Sequence, residues 1–480
     1  MKKEIRSLAL AALLLLTGCG KAPAEPAVTG AAGESSVPVA ATEQQFISNE
    51  TFQNADGTAE FTMEIDQYLR VEPLPIVEVV PWDITGDDVE RVARAFFPEA
   101  VFYERTKQSD PQFTRDQLQY MIGLLNELDA EGLKELYGYT DQDALNHVGR
   151  FIQMYTQMLD KAPEGEFREP FEDWIFRRED YHADHYDGNR NLAATTEVDG
   201  IHYWVYSIIR EKGDYKYNRI FVDLGEGGVG PHYEKDLLRA KLCRTAEPTQ
   251  DQIDGAVKKA QDILDRMELG QWKVSGWKVH VEDGDAYMGG HAPEYEIEVR
   301  AVPVVAGIPA MDGQRIYDFQ SEEKEASNYM TTGAYFLFSA DGTPVYFDLT
   351  APIREVRVVE EVARVLPVEE MLDDAQEYLG QLDPGDGIGI PYGNEAFFLM
   401  YGETAAGRIR VSDLEYGLAR KKVPGKEFHY YYVPTLVFYG GSEYYGENSG
   451  VLLAASSQFG EGIADILWLD ATTGTMIPQY

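Results

Sequence analysis

Cysteine is nearly absent from this 480-residue chain, which has two, Cys19 and Cys243. If Cys19 carries a modification, as argued below, no intrachain disulfide can form, and a chain of this size must rest on a large core. Histidine is scarce as well: the eight residues at 147, 182, 185, 202, 232, 280, 291 and 429 show no pairing pattern that would activate a nucleophile. No G-x-S-x-G elbow occurs. Positive charge is short, with 42 Lys and Arg against 82 Asp and Glu, for a net charge of −40. That imbalance argues against nucleic acid as a partner and against charge-driven docking on anionic lipid. With so many acids, carboxylate pairs occur by chance and point to no acid–base chemistry. Long apolar runs are also missing. Leu8 to Leu16, nine residues of Leu and Ala, falls well below the ~20 residues that a spanning helix needs.

That short run is nonetheless informative. Lys2, Lys3 and Arg6 precede it, and Leu16-Thr17-Gly18-Cys19 closes it. A basic stretch, a short apolar stretch and a cysteine preceded by a small residue, with Leu at minus three, fit a bacterial lipobox. An ordinary cleaved signal peptide with a chance cysteine would share the first two features but not the last. Residues 1–18 are therefore expected to be removed and Cys19 to carry a diacylglyceryl thioether. Two or three acyl chains hold stably, at ~0.8 kcal/mol per buried methylene. Residues 19–45 are rich in Ala, Pro, Gly, Ser and Thr without periodicity. They read as a disordered tether with a reach of roughly 25–30 Å. The expected location is the extracytoplasmic face of a cell membrane.

The remainder reads as α+β. Residues 46–110 form an N-terminal unit in which Phe61, Met63 and Ile65 alternate with polar residues. Thr85-Gly86-Asp87-Asp88 then caps a helix bearing Val89, Val92, Ala93, Phe96 and Phe97. Residues 111–245 hold two helical patterns, about 112–136 and 140–160, and a hairpin of Ile201–Ile209 with Tyr215–Leu224. Residues 246–366 begin with the capping pattern Thr249-Gln250-Asp251-Gln252 and the stripe Ile253, Ala256, Val257, Ala260, Leu264 and Met267. Strands follow at 272–281 and 295–301, the latter expected to be half-buried, then a hairpin around Asp341-Gly342. Residues 367–480 restart the order with a helix from Pro367 to Gly380 and four strands. The expected architecture is a series of helices, each laid on a small antiparallel sheet, with a helical insert in the N-terminal half.

Six stretches carry residues able to do chemistry. His182 and His185, with Asp184 and Asp187, form the densest set of possible metal ligands. Their Gly and Asp neighbours suggest a loop, and neither a HExxH nor an EF-hand pattern is present, so a solvated acidic loop is the preferred reading. Gly225-Glu226-Gly227-Gly228-Val229-Gly230 matches G-x-G-x-x-G, yet Pro231 follows and the strand before it reads as half of an antiparallel hairpin. A dinucleotide site is therefore not expected. Asp283-Gly284-Asp285 and Asp383-Pro384-Gly385-Asp386-Gly387 are ordinary turn chemistry. Tyr439, Tyr444 and Tyr445 fall in a glycine-rich stretch read as a loop. They are the best candidates for stacking on a sugar ring or peptide, although tyrosines covering a sheet edge would look the same. Cys243, in the helical pattern Leu237 to Cys243, reads as a buried structural thiol.

Some of these stretches also resemble known families. A helix followed by Trp272-Lys273-Val274, Tyr295-Glu296-Ile297-Glu298-Val299-Arg300 and Gly307-Ile308-Pro309 resembles a PepSY-type unit, in which a helix precedes a Tyr-x-Val-x-Phe-like strand and a Gly-Ile-Pro-like turn. Tyr430 to Gly440 and the ending Ala471 to Ile477 resemble membrane-anchored YycH/YycI-like proteins of Gram-positive bacteria. The layout from Leu74-Pro75-Ile76-Val77-Glu78-Val79 onward is similar to uncharacterised lipoproteins of clostridia and their relatives. The resemblance implies extracytoplasmic protein binding or peptidase restraint and brings no catalytic residue. The chain is accordingly expected to be a non-enzymatic lipoprotein that binds a protein or peptide partner, with no cofactor. The alternative is a glycan-binding or metal-dependent hydrolytic lipoprotein of the cell wall.

Overall fold

The computed structural model describes residues 41–104, 115–127, 142–162, 174, 190–225, 233–282, 293–317, 329–381, 405–455 and 464–477, less positions 56, 213, 214, 312–314, 332, 424 and 427. The chain opens with β1 (Thr42–Gln53), β2 (Ala59–Val71) and β3 (Ile76–Pro81), then α1 (Gly86–Phe96), β4 (Tyr103–Glu104), α2 (Arg115–Glu127) and α3 (Gln142–Leu159). A meander of β5 (Arg190–Val198), β6 (Ile201–Lys212) and β7 (Tyr215–Leu224) precedes α4 (Tyr233–Cys243) and α5 (Gln250–Met267). Next come β8 (Trp272–Glu282), β9 (Glu294–Val305), β10 (Ile308–Pro309), β11 (Arg315–Tyr317), β12 (Tyr329–Thr331), β13 (Gly333–Phe338) and β14 (Pro344–Thr350). The last elements are β15 (Ile353–Glu360), α6 (Val368–Gln381), β16 (Ala405–Lys422), β17 (Tyr430–Gly446), β18 (Leu452–Ala455) and β19 (Ala464–Asp470).

More of the described residues lie in strands than in helices, and the strands build two large sheets rather than several small ones. The first sheet runs β1-β2-β16-β17-β3-β15, with β18 and β19 also on β17. β17 organises it. One edge of β17 pairs with β16 along its length, while the other is shared by β3, β19 and β18. β16 meets β2 in parallel, from Gly407 opposite Ala59 to Val411 opposite Met63. Phe61, Met63 and Ile65 point inward as their alternation predicts, and pack with Ile409, Val411, Leu436 and Phe438 beneath Met371, Ala375 and Leu379 of α6.

The second sheet runs β10-β9-β13-β14-β7-β6-β5-β4, with β8 also on β9, and is antiparallel throughout. α1 and α5 cover one of its faces. Val89, Val92 and Phe96 of α1 and Ile253, Ala260 and Leu264 of α5 bury against Val222, Ile297, Val299, Phe336 and Phe347. Each large side chain so buried contributes roughly 1.5–3 kcal/mol. The start of α1 is fastened as the sequence predicts, with the Thr85 N–H donating to Asp88 Oδ2 at 2.7 Å and the Asp88 N–H donating to Thr85 Oγ1 at 3.4 Å.

The expectation of repeated helix-on-small-sheet units is therefore overturned. The stretches 46–110 and 367–480 share one sheet, because β2 pairs with β16 and β3 with β17. The chain between them supplies the other sheet, except that β15 joins the first sheet and β4 joins the second. Local periodicity identified the strands, but it holds no record of which distant edges join. The helical insert is present as α2 and α3, which pack on each other and on Ala240 of α4 through Leu118, Leu125, Val148 and Tyr155. The tether expected as far as residue 45 is ordered from Thr42, which pairs with Val71.

β9 departs from its expected half-burial. Its polar face is also covered, because α4 lies over it. Glu296 is fully buried and takes a two-pronged bond from Arg239, Nε to Oε1 at 2.6 Å and Nη2 to Oε2 at 2.7 Å. The Arg244 Nε donates to Glu294 Oε1 at 3.1 Å, and Lys235 Nζ to Asp223 Oδ2 at 2.7 Å. Removing one partner of such a buried pair costs about 3–5 kcal/mol, because the other charge is left in a dry environment. Cys243, expected to be a buried thiol, is fully buried, and burial with Glu296 at 3.6 Å pushes its ionisation far up.

Candidate binding cleft and free strand edge

A cleft of about 410 Å³ opens where the first residues of β8 and β15 meet the end of β9. Two indoles line it, Trp82 directly after β3 and Trp272 at the start of β8, along with Pro303, Gln271, Arg354 and Glu355. Local bonding holds these walls. The Trp82 N–H donates to the Pro352 carbonyl at 2.8 Å, and Asn218 Nδ2 donates to the Trp82 carbonyl. Trp272 Nε1 donates to the Leu269 carbonyl at 2.9 Å, which fixes its ring. Gly270 takes a φ of +87°, a conformation that costs other residues strain, and a Cβ there would stand 3.4 Å from the Ile353 carbonyl oxygen. On the rim, Glu355 Oε1 accepts from the Ala306 N–H at 2.7 Å.

β15 leaves this cleft as a free edge. It is the last strand of its sheet and pairs only with β3 among the described residues. From Arg354 to Glu360 every residue is exposed. The pairing with β3 slips twice, which makes Val356 and Val359 the extra residues of two bulges. Val356, Val358, Val359 and the following Val362 are 49%, 45%, 43% and 41% exposed. Free edges in soluble proteins are usually blunted by polar side chains. β1 at the opposite end of the same sheet is polar from Thr42 to Gln45 and exposes one large apolar side chain, Ile47, whereas β15 exposes three valines among Arg354, Glu355, Arg357 and Glu360. β8, the other strand that starts at the cleft, also exposes large side chains, Trp277 and Val281.

A charged cluster sits on one side of this edge. Glu78 of β3 is buried and accepts from Arg357 Nε at 2.7 Å and from Lys426 Nζ at 3.4 Å, with His429 Nδ1 at 2.9 Å. The Arg357 hydrogen bond, opposed by burial and aided by His429 and Lys426, lowers the Glu78 pKa from 4.5 to about 2. Two cationic side chains and an imidazole thus share one carboxylate.

The stretch the sequence offered for stacking is not a loop. Tyr439, Tyr444 and Tyr445 all lie inside β17, and the glycines between them continue the ladder, Gly440 opposite Val411 on one side and Ala464 on the other. Tyr444 is fully buried. The Tyr439 hydroxyl donates to Glu415 at 3.0 Å, while Tyr445 donates to Glu443 at 2.6 Å and lies under the Arg408 guanidinium. Glycines mark a turn only when nothing pairs with them, and here strands on both sides do. Cys19, His182, Asp184, His185 and Asp187 lie outside the described residues, as do 226–232, 283–292 and 382–400. The strand before Gly225 is antiparallel to both β6 and β14, as its hairpin reading required. Sequence reasoning passed over β15, although the valines between alternating Arg and Glu from Arg354 to Val362 were its visible signal.

No protein-family model matches the chain, and no curated protein matches it. A crystal structure of an uncharacterized protein from Eubacterium rectale ATCC 33656 aligns over 91% of this chain and 93% of that one, at 11% identity and a TM-score of 0.34.

Proposed function

We propose that the chain is a membrane-anchored extracytoplasmic lipoprotein, without catalytic activity of its own, that binds an extended segment of a protein or peptide partner. The anchor rests on the lipobox ending at Cys19. The binding mode rests on one observation, the free edge of β15 with its exposed valines. An incoming strand would satisfy the unpaired backbone groups of that edge, and the cleft between Trp82 and Trp272 would take a side chain from its end. Covering the valines contributes about 1 kcal/mol apiece, since each is a little under half exposed. Such binding asks for an ordered edge on a tethered body, and it needs neither metal nor nucleophile.

A photo-crosslinking residue at Val358, compared with one at Glu50 on β1, tests this in living cells. A discrete protein adduct from position 358 alone is the expected result, with a Cys19→Ala chain leaving the membrane fraction. Equal adducts from both positions, or none from 358, would overturn the binding reading. Membrane retention of Cys19→Ala would overturn the anchor.

A further inference from the structure

We infer that the segment bound along β15 alternates acidic and apolar residues, with a carboxylate seated against Arg357, Lys426 and His429. The inference deepens the reading above and depends on it.

In a chain of net charge −40, the corner beside β15 gathers two cations, Arg357 and Lys426, and the imidazole of His429 around one buried carboxylate, Glu78. Arg357, Lys426 and His429 are 60%, 47% and 35% exposed, while Glu78 is 4% exposed. Arg357 bonds Glu78 through Nε, and among the described residues neither Arg357, Lys426 nor His429 is paired with a second carboxylate. Among the described residues, their remaining donors face no other carboxylate.

Register supplies the position. Arg357 lies opposite Glu78 and Val358 opposite Val77, so between the bulges at Val356 and Val359 these two residues of β15 face opposite sides of the sheet. A strand added to the free edge would run ~4.8 Å away. Its side chain opposite Arg357 would have its Cβ about 5 Å from that of Arg357 and on the same face as Lys426 and His429. An Asp or Glu there completes the charge balance. The next residue falls opposite Val358, where an apolar side chain is favoured. An acidic bilayer would also answer the charge, but it offers no strand to the edge, and the protein's overall charge opposes its approach.

The test is binding of acetylated ten-residue peptides to the full chain in detergent. One peptide alternates Glu and Val, and a second replaces every Glu with Gln. The Glu–Val peptide is expected to bind about ten-fold tighter than the Gln–Val peptide. Lys426→Gln and Arg357→Gln are each expected to remove that preference, and Val358→Lys to weaken both peptides. Lys426 is the safer variant for folding, because Arg357 and His429 still hold Glu78. If both peptides bind equally well and both are lost in Val358→Lys, the edge reading stands and the acidic partner is refuted. If neither binds, or if Val358→Lys changes nothing, the edge assignment fails with it. Lys426-dependent binding of phosphatidylglycerol vesicles in place of the Glu–Val peptide would overturn the proposal in favour of a lipid surface.

Discussion

Glu78 is a buried carboxylate with a pKa of about 2 because Arg357, His429 and Lys426 all reach it. A carboxyl whose ionisation is easier in the folded chain stabilises the fold once it is charged. That contribution is present in full above the ordinary value of 4.5, and it is lost as the pH falls toward 2. The unfolding midpoint in urea should therefore separate the natural chain from Glu78→Gln at pH 6, and the gap should close between pH 4.5 and 2. A gap that is constant with pH would show that the cluster does not hold the proton off Glu78. Glu78 sits in the apolar run Ile76 to Val80, and its burial could be suspected from that run. Its three partners come from 279 to 351 residues further along the chain, so no local pattern could announce them.

At the scale of elements, β17 shows how tightly two strands can close over a glycine. A Cβ on Gly440 would lie 1.8 Å from the Arg410 carbonyl oxygen and 3.0 Å from the Val411 Cα, beside the bulge that shifts β16. Backbone cannot yield as the end of a side chain can. Gly440→Ala should cost about 3 kcal/mol in equilibrium unfolding. Gly255 gives the contrast. It is exposed in α5, with no atom within 4 Å of where a Cβ would stand. Gly255→Ala should raise stability by roughly 0.5–1 kcal/mol, because glycine is a poor helix former. Similar effects from the two substitutions would mean that β16 and β17 do not approach as described. The glycines at 440 and 441, read along the sequence, signal a loop. Only the strands that pair on both sides of them show that they serve close approach.

The whole molecule is held by pairings between its two ends. β1, β2 and β3 sit in one sheet with β15 to β19, so the first sheet cannot form from either part of the chain alone. A fragment of residues 367–480 keeps the β16–β17 hairpin and α6 but loses β2 from one edge and β3 from the other. It should lack cooperative thermal unfolding on its own and regain it when mixed with residues 41–366. Cooperative unfolding of the isolated fragment would show that the shared sheet is dispensable. The same closure leaves β15 as the sheet's free edge, beside the cleft with Trp82 and Trp272.

Sequence alone determined what depends on neighbours in the chain. The Thr85–Asp88 cap, the alternation of Phe61, Met63 and Ile65, the α5 stripe from Ile253 to Met267, and the hairpins around Lys212 and Asp341 were all legible, because side-chain periodicity and turn chemistry act over a few residues. The tertiary structure alone decided which strands meet. It turned small units into two shared sheets, buried Glu296 under Arg239, carried β17 straight through its glycines and left the valines of β15 in solvent. Periodicity reports that a strand has an inner face. Which edge it joins, and whether a further element covers its outer face, depends on pairings summed over hundreds of residues, and those exist only once the chain has folded.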